Sequence, residues 1–117
     1  MNHIRETSVE LLRLSSADAE VWVHAVVDQV TPTTELRGRL MGPRCAGVTT
    51  IEVAYPIRPQ PRPPEDSSLT LAARVVIPEP NLWTQETPFF YEGPCELWQD
   101  GQRCDETTVS VALKKPG

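Results

Sequence analysis

The chain has no apolar run near the roughly 20 residues that a membrane-spanning helix needs, and no cluster of lysine and arginine. The first absence speaks against a helical membrane segment. The second speaks against a phosphate-tracking surface, because nucleic-acid binding depends on grouped cations. With 11 basic and 16 acidic residues the net charge is −5, with both signs spread along the sequence. No nucleic acid and no membrane are therefore expected as partners. The first 16 residues carry charges where a signal peptide would have its apolar stretch, so a cytoplasmic location is favoured, for a chain that is either complete or a piece of a longer one. Histidine is scarce, with two residues, and the three cysteines, Cys45, Cys95 and Cys104, show no C-x-x-C spacing. No metal ligand set and no cofactor is expected. A Cys95–Cys104 disulfide is disfavoured, since an Asp100-Gly101 turn would place them diagonally. Glycine is also sparse, with six residues, and forms no phosphate loop.

What is present is a period of two along nearly the whole chain, with no convincing helical stretch. Residues 7–14 read as a first strand and residues 20–30 as a second. In the second, Val21, Val23, Ala25 and Val27 share one face, while Trp22, His24 and Val26 share the other. Both faces are largely apolar, which predicts a central or covered position. Leu36, Gly38 and Leu40 alternate with Arg37 and Arg39 in a third strand that Gly42-Pro43 should break. Ile51, Val53 and Tyr55 mark a fourth. Residues 56–64 hold five prolines and read as an extended loop without ladder donors. Leu69, Leu71, Ala73, Val75 and Ile77 give the clearest alternation of all. Residues 89–99 and 102–114 form a last hairpin about Asp100-Gly101, a pair whose residues both tolerate positive φ. Pro94 suggests an edge position or a bulge. Keeping both Leu97 and Val109 inward calls for a bulge near Asp105 or a turn longer than two residues. The count is about seven antiparallel strands, an all-β sandwich of immunoglobulin-like architecture in one domain over residues 1–117.

The run Leu82-Trp83-Thr84-Gln85-Glu86-Thr87-Pro88-Phe89-Phe90-Tyr91, then Leu97 and the Asp100-Gly101 turn with Asp105 beyond it, resembles the immunoglobulin-like sandwich domain of glycoside hydrolase family 2, the family of β-galactosidases, β-glucuronidases and β-mannosidases. His3-Ile4, the valine-rich second strand and Asp18 before it follow the same order. The chain departs from the pattern at Gln85, where proline is usual, at Gly93-Pro94, and at Lys114-Lys115, where a Phe-Gly approach to the catalytic barrel is usual. The resemblance implies a non-catalytic spacer cut from a larger multidomain glycosidase. Its partners would be neighbouring domains, or a second copy in a homodimer. The family's catalytic glutamates belong to the barrel, and no residue here matches them.

Five residues stand out as structural or interface candidates. Trp83 could line a sugar site, but plugging the open end of the sandwich is the preferred reading, with Pro88 and Tyr91 fixing that end. Trp22 and Trp98 lean outward by parity and mark an interface in preference to a ligand platform. Glu86, Glu92 and Glu96, with Asp105 and Glu106, read as a solvated rim and not as a paired acid–base system. His24 reads as a satisfied strand histidine and His3 as part of a loose N-terminus. The competing functional class is a stand-alone carbohydrate- or protein-binding module.

Overall fold

A computed structural model describes residues 1–115. It contains eight strands: β1 (Ile4–Leu14), β2 (Asp18–Val27), β3 (Glu35–Arg44), β4 (Val53–Pro56), β5 (Arg58–Pro59), β6 (Thr70–Pro78), β7 (Phe90–Gln99) and β8 (Gln102–Val111). They form two four-stranded sheets, ordered β1-β2-β6-β5 and β4-β3-β7-β8, with antiparallel pairing throughout. This is the immunoglobulin order with one strand added beside the third.

The period-two pattern carries directly into the core. Val21, Val23, Ala25 and Val27 from β2 and Leu71, Ala73, Val75 and Ile77 from β6 are buried. They face Leu36, Leu40, Tyr91, Cys95 and Leu97 from β3 and β7. Alternate residues on each strand point outward, as a pleated sheet with one packed face requires. The central position expected for β2 is observed, between β1 and β6.

The eighth strand is the part the prolines conceal. β4 and β5 belong to different sheets, and the chain crosses between them at Ile57, which is buried and donates its N–H to Gly38 O at 2.9 Å. Two residues of the expected proline loop, Arg58 and Pro59, then pair with Arg74 and Ala73 of β6.

Other boundaries also move. β3 does not break at Gly42-Pro43. It continues to Arg44 through a cis peptide bond, with its register against β7 shifted there. β4 starts at Val53, leaving Ile51 outside it and exposed. Pro94 lies in β7, which is a central strand, and the β7–β8 register passes through Gly93–Val109 and Pro94–Thr108 unshifted. The proline is tolerated because the β3–β7 ladder skips the facing pair Arg39 and Leu40. There the two backbones come so close that a Cβ on Gly93 would meet Arg39 O at 1.9 Å, and one on Gly38 would meet Pro94 O at 2.0 Å.

The expected hairpin is present. Asp100 and Gly101 have φ of 53° and 74°, the left-handed pair of a two-residue turn. The register then slips by one, from Trp98–Arg103 to Leu97–Asp105. Cys104 is the extra residue, so Leu97 and Val109 both stay buried.

The N-terminus is not loose. Asn2 is buried and donates through Nδ2 to Gln29 O (2.8 Å) and Gln99 Oε1 (3.0 Å), while Gln29 N–H donates to Asn2 Oδ1 (3.1 Å). Ile4 N–H donates to Asp105 Oδ2 at 2.8 Å, and His3 N–H donates to Asp28 Oδ2 at 3.1 Å. One buried amide thus joins the start of β1, the end of β2 and the end of β7. The first strand begins at the end of the sandwich that carries Asp100-Gly101, and β8 finishes at the other end of a body 44 Å long.

Candidate functional site

The three tryptophans occupy three different settings. Trp83 sits between β6 and β7 in a short bridge with Pro88, and its N–H donates to Leu113 O at 3.0 Å. Its neighbour Leu82 is the one that packs against the core. The Trp83 ring is half-buried beneath the Lys114 ammonium, 4.4 Å from the ring centroid. Pro88 is exposed, and Phe89 and Phe90 are half-buried beside it. Trp98, on the outer face of β7, lies under the Arg37 guanidinium at 4.3 Å, and its indole N–H donates to Glu96 Oε1 at 3.0 Å. Trp22, on the outer face of β2, donates to Glu20 Oε1 at 3.3 Å and lies 6.1 Å from the His24 ring.

Tyr91 is the most deeply placed of the five. It is the second residue of β7, is buried, and packs edge-on against Tyr55 with centroids 6.1 Å apart. Its Oη accepts the Asn81 N–H at 3.0 Å, tying the β6–β7 crossover to the start of β7. A tyrosine bonding back to backbone at this corner is a recurrent brace of immunoglobulin sandwiches. Burial raises the Tyr91 pKa above the usual phenol range, so it remains a neutral phenol and acts as a structural pin.

The carboxylates do not converge. Glu86 lies in the exposed Thr84–Thr87 turn, away from the strand pairs that carry the others. Glu92 pairs with Arg44 at 3.4 Å. Glu96 stands opposite Glu106 on the β7–β8 ladder, with Arg103 serving both at 3.4 and 3.7 Å. Among the described residues four carboxyls depart from their ordinary pKa, and all four go down: Glu20 through the Trp22 indole N–H and Arg74, Asp28 through Arg5, Asp66 through the Ser68 backbone N–H, and Asp105 through the Ile4 and Glu106 backbone N–H groups. Glycosidic cleavage by a carboxyl pair needs one member held protonated, with its pKa raised. No such group is present among these four. Among the described residues no cluster of His, Cys, Asp and Glu could hold a metal ion.

A cleft of about 680 Å³ opens between the β2–β3 loop and the proline segment after β5. Sequence reasoning did not find it, because it needs two loops distant in the chain. Most of its polar lining is already committed, the Gln60 amide excepted. Thr34 Oγ1 accepts the Thr31 N–H at 2.8 Å, Glu35 pairs with Arg37, and Asp66 accepts from Ser68 N–H at 2.9 Å. The Arg62 guanidinium donates to the carbonyls of Thr70, Asp66 and Ser68 at 2.9, 2.9 and 2.8 Å. A cleft whose donors and acceptors are spent internally has little left with which to orient a polar substrate.

No family model matches the sequence, and no curated protein matches it. Solved structures do match. A β-glucuronidase from Bifidobacterium dentium, complexed with coumarin-3-O-glucuronide, aligns at 14% identity with a TM-score of 0.64, over 96% of this chain and 18% of that one. A glycosyl hydrolase family 2 member from Bacteroides cellulosilyticus aligns at 21% identity and TM-score 0.65, over 96% of this chain and 15% of that one. A β-glucuronidase from Bacteroides uniformis aligns at 17% and 0.63, over 96% and 14%. The chain shares its fold with a segment of each enzyme. It spans at most 18% of their lengths, and the match runs through both sheets of the sandwich.

Proposed function

We propose that this chain is the immunoglobulin-like spacer domain of a family 2 glycoside hydrolase and performs no chemistry itself. The observation that carries this reading is the coverage: 96% of the chain superposes on at most 18% of such enzymes. The geometry supports it. The interior is filled by aliphatic and tyrosine side chains, Glu92 and Glu96 sit on the surface in ion pairs, and the start of β1 and the end of β8 lie at opposite poles of an elongated body. Such a body holds two neighbours at a fixed separation. Trp83, Pro88 and Tyr91 shape the pole where β8 ends, and Trp22 or Trp98 meets an adjoining domain.

The test has two arms. Purified chain incubated with aryl β-glucuronides and aryl β-galactosides should release no phenol above buffer. Release that is lost in Glu92→Gln or Glu96→Gln overturns the reading. The reading frame that encodes the chain should also encode a β/α-barrel carrying two catalytic carboxylates, and a frame without one overturns the spacer role.

One observation favours a binding module as the second reading. Arg37 and Lys114 cover the rings of Trp98 and Trp83, whereas the outer-face partner of Trp22 is another ring, His24. A saturable calorimetric signal with an oligosaccharide, lost in Trp22→Ala, would select this reading over the spacer.

A further inference from the structure

The proline segment after β4 has no part in the spacer reading. Pro59, Pro61, Pro63 and Pro64 are exposed, while the intervening Gln60 and Arg62 are half-buried. The polar side chains face the body, and the pyrrolidine rings form a ridge along the open edge of the β1-β2-β6-β5 sheet. The ridge is pinned from below. Gln60 N–H donates to Ala72 O at 3.0 Å, Arg62 grips three carbonyls, and Asp66 N–H closes a turn on Pro63 O at 3.0 Å. Four prolines fix φ and remove the N–H groups on which an added strand would pair. Recognition here therefore runs through side chains. Those on offer are the proline rings and Arg58. Arg58 is exposed, sits opposite Arg74, whose guanidinium is held by Glu20, and makes no ion pair among the described residues.

We propose that residues 58–64 are a docking ridge for a protein partner that presents aromatic rings with a carboxylate beside them. Extended proline segments are read by stacking on aromatic faces, and an unpartnered guanidinium calls for an oxyanion. The ridge is ordered before contact, so docking costs little conformational entropy. The polar groups of the adjoining cleft are mostly committed to the protein itself, which disfavours a sugar at this place.

The test is a titration of ¹³C,¹⁵N-labelled chain with an end-capped tetrapeptide of alternating glutamate and tryptophan. Saturable NMR shifts are expected for residues 58–66, including the proline carbons. A lysine–tryptophan peptide of the same length should bind at least about three-fold more weakly. Arg58→Glu should reverse that preference, and Pro61→Ala combined with Pro63→Ala should weaken both peptides. Trp22 and Trp98 fluorescence confirms that each variant is folded, and Arg58→Glu, a change at an exposed side chain, keeps the test decisive if the double proline variant is not. Absence of shifts, shifts centred on Trp22, equal binding of the two peptides, or self-association of the chain in place of peptide binding overturns the proposal.

Discussion

Gly93 has no room for a side chain. The carbonyl of Arg39 would lie 1.9 Å from any Cβ there, and that carbonyl belongs to a central strand that cannot withdraw. Gly93→Ala is expected to cost more than about 3 kcal/mol, or to prevent folding, because backbone and not a rotatable side chain must give way. Gly47 is the control. Its φ is +77° but nothing lies within 4 Å of the position, so Gly47→Ala should cost only about 1 kcal/mol. Urea unfolding of the two variants checks the contrast. The sequence shows Gly93-Pro94 as an interruption of a strand and no more, because the close approach depends on which strand lies opposite. The thiols are a second residue-scale case. Cys95 is fully buried, and its pKa is pushed up to about 11 by that burial, with Glu96 adding to it. Cys45 is also buried, whereas Cys104 is half-exposed on its bulge. An aromatic disulfide reagent should therefore modify one thiol quickly in native protein, at Cys104, and the other two only on unfolding. Rapid labelling of Cys95 would contradict this packing.

At the scale of elements, the turn and bulge of the last hairpin are legible because their determinants are local. Asp-Gly dictates the turn, and the parity of Leu97 against Val109 demands an extra residue. β5 is illegible for the opposite reason. It is two residues long and consists of an arginine and a proline, with a pairing fixed by the Ile57 crossover and not by propensity. The anchoring of the first strand is equally hidden, since Asn2, Asp28 and Asp105 meet only when the sheets close. That anchoring makes an acid-dependent prediction. Backbone N–H donation from Ile4 and Glu106 holds the Asp105 carboxyl below its usual pKa. A depressed folded pKa means stability that is present at pH values above the unfolded pKa, near 4, and lost as pH falls through the folded value. Asp105→Asn should therefore be less stable than the parent at pH 7 by about 1 kcal/mol, with the gap closing towards pH 3. Urea midpoints at both values test it. A gap that is constant or wider in acid would show that the carboxylate charge is irrelevant to the anchor.

For the whole molecule, the two sheets share one core with no internal division, so loss of either should be loss of both. Leu97 is fully buried between them. Leu97→Ala is expected to cost about 2–5 kcal/mol. Single-tryptophan variants keeping Trp22 on one sheet or Trp98 on the other should report the same shifted midpoint, and separate midpoints would break the one-core description. The sandwich class was readable from period two and turn spacing. The surroundings of the tryptophans were not, since Lys114 over Trp83 and Arg37 over Trp98 are set by the final chain path. The edges of the sheets have a consequence of another kind. β5 ends in proline, β4 is four residues long, β1 is kinked by two register shifts, and β8 carries Arg103, Asp105 and Glu106. Each margin is blunted by a different device. Concentrated solutions of the native protein should therefore stay clear and free of thioflavin-positive fibres, because the backbone left uncovered is short: β6 beyond its pairing with β5 runs only from Val75 to a terminal Pro78.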